Sequence, residues 1–137
     1  MLLHNSKFLE KHLFLWQGWQ VIWGANAIAF SPNGNENSHY YIKRIVGLPG
    51  ETIEVQDGKI IVNGKPIKEK YQTTTIEELG LLSEPITLGN NEYFVLGDDR
   101  QNSEDSRSVD LGAVKRADIA GKIWFVVSPG KTFGFVK

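Results

Sequence analysis

The sequence contains no cysteine. That excludes a disulfide-stapled scaffold, a thiolate zinc centre and a cysteine nucleophile. It does not fix the compartment, since an exported protein can be stable without bridges. Histidine is scarce: His4, His12 and His39 are scattered, and no HExxH spacing occurs. A zinc peptidase is therefore not expected, and no metal or other cofactor is assigned. Neither a GxSxG elbow nor a phosphate loop is present. There is no excess of one charge: 15 Lys plus Arg stand against 16 Asp plus Glu, a formal net charge of −1. A general nucleic-acid binder needs a clustered cationic face, so no nucleic-acid partner is expected. A long apolar run is also missing. Lys, Arg, Asp and Glu are absent between Lys11 and Glu36, but Gln17, Gly18, Gln20, Gly24 and Asn26 interrupt that stretch. A spanning helix wants about 20 mostly apolar residues. None is expected here, and any anchor is expected outside this chain. The first residues also lack the charged start, apolar core and cleavage site of a targeting segment.

What is present suits one domain with an arm. The 137 residues are 41% hydrophobic, enough for a packed core. Residues 1–24 form an atypical segment carrying Trp16, Trp19 and Trp23. Residues 25–137 read as a single β-rich domain. Within it, Thr52-Ile53-Glu54-Val55 alternates, Asp57-Gly58 turns, Lys59 to Val62 returns, and Asn63-Gly64 turns again toward Pro66-Ile67. Asp-Gly and Asn-Gly favour the positive φ of two-residue hairpin turns, so a three-stranded meander is expected. Ala25 to Phe30, His39 to Val46, Tyr93 to Leu96 and Lys122 to Val127 read as further strands, and Ser31 to Ser38 as a polar loop. Thr75 to Leu79 reads as one or two helical turns, with Thr75 and Glu78 spaced as a capping box and Gly80 as a stop. Val114 to Ile119 suggests another short turn of helix. The expected fold class is mostly β: coiled sheets or a barrel of short antiparallel strands with one or two short helices.

Two segments carry candidate chemistry. In Tyr41-Ile42-Lys43-Arg44-Ile45-Val46, a strand places Tyr41, Lys43 and Ile45 on one face and Ile42, Arg44 and Val46 on the other. With both faces packed, the Lys43 ammonium loses water, and a neutral amine able to act as general base becomes accessible near neutral pH. Arg44 keeps its proton and calls for a carboxylate partner on the opposite face. The bland reading of this pair is a solvated strand edge or a structural ion pair. The second segment runs from Phe94 to Arg107. A strand ends at Gly97, and Asp98, Asp99, Glu104 and Asp105 are expected to face Arg100 and Arg107, holding the loop rigid. A calcium loop competes, but the glycine and glutamate spacing is wrong and two arginines would repel the ion.

YIKRIVGLPGETIEV, DGKIIVNGKPI, YFVLGDDRQNSEDSR and GKIWFVVSP occur in this order. Together they resemble the bacterial type I signal peptidases, a serine peptidase family that uses a Ser/Lys dyad. The resemblance covers roughly residues 25–137. It implies Lys43 as general base and Ser103 as the serine that holds its amine. It implies Arg44 paired with Asp98, and Asp105 with Arg107 as a supporting ion pair. Asp99 departs from the family, which usually shows Asn there. The family's nucleophile sits in a Ser-Met-x-Pro-Thr-like box that is not recognisable here. Ser6 is the N-terminal serine that could stand in for it, although an ordinary solvated serine is the competing reading.

The resemblance further implies a membrane-associated endopeptidase at the extracytoplasmic face of the bacterial cytoplasmic membrane. Its substrates would be the signal peptides of exported preproteins. Trp16, Trp19 and Trp23 suit contact with a lipid surface, or equally the packing of an arm or of a homodimer. A catalytically inactive assembly or binding factor of the same fold is the alternative. A self-cleaving repressor core, which shares Ser/Lys chemistry, is disfavoured because no helix-turn-helix precedes the β region.

Overall fold

The computed structural model describes residues 2–3, 27–69, 73–128 and 132–135. Ser6, Trp16, Trp19, Trp23 and the start of the strand expected at Ala25 lie outside the described residues. The strands are β1 (Leu2–Leu3), β2 (Ala27–Phe30), β3 (Tyr41–Gly47), β4 (Thr52–Gln56), β5 (Lys59–Val62) and β6 (Lys65–Pro66). They continue with β7 (Ile86–Thr87), β8 (Glu92–Leu96), β9 (Val114–Lys115), β10 (Ile119–Ser128) and β11 (Thr132–Phe135). Among the described residues all strand pairings are antiparallel.

The larger sheet runs β1-β10-β2-β3-β8-β9, with β11 also on β10, and the smaller runs β6-β5-β4-β7. The smaller sheet contains the expected meander. Asp57 and Gly58 (φ 49° and 71°) and Asn63 and Gly64 (φ 49° and 78°) occupy the left-handed region that tight hairpin turns demand. Alternation along β3 and β8 then divides the core. Ile28, Phe30, Ile45, Tyr93 and Val95 pack on one face of the larger sheet beneath Leu111, Val114 and Ile119. Val46, Phe94 and Leu96 point the other way and meet Ile53 and Ile60 of the smaller sheet, with Ile76, Leu82 and Leu88. Each of these buried side chains contributes about 1.5–3 kcal/mol of apolar burial. Gly47 lets the two sheets close, because a Cβ there would sit 2.5 Å from Ile53 Cδ1.

The helical turns expected at Thr75–Leu79 are not formed. Residues 73–79 have no regular structure, and a short 3-10 turn begins at Gly80 instead, spanning Gly80–Ser83. The reason is tertiary. Thr74 N–H donates to Asp98 O (3.1 Å), Leu81 N–H donates to Arg107 O (2.8 Å), and Glu78 O accepts from Arg107 Nη1 (3.0 Å). Backbone groups that a helix would pair internally are bonded to the 98–107 loop, and contacts of that kind outweigh a local capping box. The turn expected within Val114–Ile119 is present as a 3-10 turn at Arg116–Asp118. The polar loop after β2 holds another at Pro32–Gly34.

Candidate active site

β3 places Lys43 where the sheet changes character. On one side β2 runs alongside, with Ile28 opposite Lys43. On the other side β8 ends at Leu96, opposite Arg44. Lys43 therefore faces the turn that follows β8 rather than a strand. That opening admits Ser103, whose Oγ accepts a 2.9 Å hydrogen bond from Lys43 Nζ. The condition set for a dry lysine, packing on both faces of β3, is met only in part. Lys43 is half-buried and Ile42 is 41% exposed, and burial is complete only from Arg44 onward.

Tyr41 walls one side of the amine, with its ring centroid 5.9 Å from Nζ. The ring is fixed edge-on by Phe30, and its hydroxyl donates to Glu104 Oε2 at 3.0 Å. That hydrogen bond, reinforced by the carboxylate charge, raises the phenol's pKa above its usual value. On the opposite face of β3, Arg44 Nε donates to Asp98 Oδ1 at 2.7 Å, the carboxylate partner this arginine required.

The loop from Gly97 to Arg107 is built around buried charges. Asp105 is fully buried. Its carboxylate accepts from the Gly97 N–H (3.1 Å), from the Arg107 N–H (3.2 Å), and from Arg107 Nε and Nη2 (both 2.9 Å). Arg107 Nη2 also donates to Arg100 O at 2.6 Å. Ser106 extends the β8 ladder, its N–H donating to Val95 O (3.0 Å) and its Oγ accepting from Val95 N–H (2.9 Å). Gly97 is the floor of the site. A Cβ there would lie 2.0 Å from Ser103 Oγ and 3.6 Å from Lys43 Nζ. No side chain other than hydrogen fits beneath the pair.

The loop departs from the expected pairing of four acidic residues with two arginines. Only Asp105 meets Arg107. Asp98 turns to Arg44, Glu104 to Tyr41, and Arg100 inward to Glu69. Asp99 stays outside and acts as a turn acceptor. Asn102 Nδ2 (3.0 Å), Gln101 N–H (3.3 Å) and Thr74 Oγ1 (3.3 Å) all donate to it. The Asn102 bond is the main cause that lowers its carboxyl pKa.

Sequence reasoning did not find Glu69, Thr74 or Lys122. Lys122 lies opposite Ile28, in one cross-strand row with Lys43, and burial lowers its pKa to about 8. Register alone reveals that alignment, and register is not written in either segment. A cavity of about 260 Å³ between Phe30, Ser31, Leu111, Val114 and Asp118 does not include Lys43 or Ser103. Among the described residues no group of three or more His, Asp or Glu could hold a metal, and no helix is long and apolar enough to cross a membrane.

Known proteins resemble this chain in sequence and in fold. The family described as "Signal peptidase, peptidase S26" matches residues 9–128. A signal peptidase I P of Bacillus subtilis subsp. natto is 39% identical over 104 residues, covering 71% of this chain and 55% of that protein. Signal peptidase I S of Bacillus subtilis (strain 168) is 37% identical over 103 residues, covering 69% of this chain and 55% of that protein. The chain thus spans about half the length of the curated relatives it matches. The crystal structure of a signal peptidase I from Enterococcus faecalis V583 superposes with a TM-score of 0.57 at 34% identity, covering 74% of this chain and 95% of that one. With two-thirds or more of the chain matched in sequence and in fold, this protein belongs to the signal peptidase family, peptidase S26.

Proposed function

We propose that this chain carries the peptidase domain of a type I signal peptidase, a Ser/Lys endopeptidase that removes signal peptides from exported preproteins. The observation that carries the reading is the 2.9 Å bond between Lys43 Nζ and Ser103 Oγ, on a strand whose neighbour stops at that level. In this reading Lys43 is the general base, and Ser103 orients its amine. The Arg44–Asp98 and Asp105–Arg107 pairs hold the strand end and the loop in place. Ser6 is the nucleophile candidate.

The neutral amine takes the serine hydroxyl proton as the oxygen bonds to the scissile carbonyl carbon. The resulting ammonium returns that proton to the leaving amide nitrogen as the C–N bond breaks, which leaves an acyl-enzyme. Water then gives a proton to the same amine, attacks the ester carbon and releases the serine oxygen, which recovers the proton. The substrate binds extended, by strand addition to a sheet edge, with shallow pockets for small side chains. The setting is the extracytoplasmic face of the bacterial cytoplasmic membrane. Trp16, Trp19 and Trp23 of the N-terminal segment supply lipid contact or, in a homodimer, contact between copies.

The test is covalent trapping. A penem-type acylating inhibitor should add one inhibitor mass to the full chain, mapped by peptide mass spectrometry to the Ser6 peptide, and Lys43→Ala should prevent the addition. An adduct at another serine reassigns the nucleophile. No adduct at any serine contradicts the peptidase reading and favours a non-catalytic binding factor of the same fold.

A further inference from the structure

Arg100 is an unusual place for a cation. Its side chain is only 2% exposed, within the loop that carries Ser103. A guanidinium that deep must be paired and fully hydrogen-bonded. Nε donates to Gly97 O at 2.8 Å, and the two terminal nitrogens engage both carboxylate oxygens of Glu69. Its backbone is held as well. The Arg100 N–H donates to Thr74 Oγ1 at 2.6 Å, and Arg100 O accepts from Arg107 Nη2 at 2.6 Å. Gly97 is therefore gripped at both ends, its N–H by the Asp105 carboxylate and its C=O by the Arg100 guanidinium. That glycine is the floor against which Ser103 Oγ and Lys43 Nζ rest.

We infer that Arg100, charge-balanced by Glu69, is a positioning residue for the Lys43–Ser103 pair. It aims the Gly97 peptide, and through it sets how closely the serine hydroxyl covers the amine. Glu69 belongs to a different segment of the chain, so the pair ties residues 67–69 to the site. Loss of the carboxylate leaves a buried cation without its counter-charge. The guanidinium then turns outward, Gly97 O loses its donor, and the 97–103 turn opens over Lys43. Loss of the fork by Arg100→Lys keeps the charge but cannot serve Gly97 O and Glu69 together.

The meaning for catalysis rests on the Ser/Lys reading, but the test reads geometry and needs no turnover. The full chain is labelled with a trace of acetic anhydride, and acetylation at each lysine is quantified by peptide mass spectrometry. Exposed Lys59, in the other sheet, is the internal reference. Half-buried Lys122, in the same sheet as Lys43, reports any general loosening. In Glu69→Gln and in Arg100→Lys, labelling of Lys43 relative to Lys59 should rise by at least about fivefold, while Lys122 stays within about twofold of the parent. Lys43 labelling unchanged in both variants overturns the inference. So does a parallel rise at Lys122, which would mark Arg100 as a purely structural residue. Glu69→Gln keeps Arg100 and an acceptor, so it stands in if Arg100→Lys does not fold. In a peptide-cleavage assay the same variants should lower kcat with KM held. If Lys43→Ala cleaves like the parent, the Ser/Lys reading fails while the labelling result still decides the role of Arg100.

Discussion

At the scale of single residues, the site depends on what is missing from Gly97. A methyl group there would overlap Ser103 Oγ, at 2.0 Å, and would have to displace it. Gly97→Ala should therefore keep the fold yet reduce peptide cleavage on the order of a hundredfold, since a misplacement of about 1 Å at a reacting pair costs that much. Cleavage rate and thermal unfolding measured together check this; a parental rate would mean that Ser103 does not need its present place. Lys122 offers a second residue-scale test. Its pKa is lowered from 10.5 to about 8 by burial. Below pH 8 the folded chain bears the cost of a partly buried ammonium. Between about 8 and 10.5 the unfolded chain holds more protons than the folded one, so stability rises with pH. Tyr41, whose pKa is raised, opposes this only above its ordinary value of 10.0. The urea midpoint should accordingly climb from pH 8 to 9.5, and Lys122→Met should flatten the climb.

At the scale of elements, what is local was legible and what is tertiary was not. The meander could be read because Asp57-Gly58 and Asn63-Gly64 encode their turns in two adjacent residues. The faces of β3 followed from a period of two, which put Lys43 and Arg44 on opposite sides before any partner was known. Thr75–Leu79 misled because a capping box promises a helix only when nothing competes for its backbone, and Arg107 does compete. Arg100 was mispaired because its partner Glu69 lies 31 positions away, while four acidic residues crowd the same loop. The strength of Ser103 as a site residue came from resemblance; its bond to Lys43 spans 60 positions and no local pattern announces it. The meander also provides a contrast with the site. Gly64 has φ 78° and open space around it, so Gly64→Ala meets backbone strain alone. That change should cost about 1–2 kcal/mol in chemical denaturation and leave cleavage untouched. Lost cleavage with intact folding would show that the small sheet takes part in the chemistry.

At the scale of the whole molecule, two antiparallel sheets share one inter-sheet core, and the Lys43–Ser103 pair lies where β8 stops short on the larger of them. Gly47 and Ile53 close the sheets, the Asp105–Arg107 pair closes the loop, and Lys43 stays half-buried beside them. The proposed peptidase needs that lysine as its base, whereas a binding factor of the same shape does not. The direct measurement is cleavage of a signal-peptide substrate, presented in lipid vesicles, by the full chain and by Lys43→Ala. Removal of a general base should lower the rate on the order of a thousandfold, with circular dichroism and thermal unfolding unchanged. Parental cleavage by Lys43→Ala would contradict the assignment of Lys43 as the base.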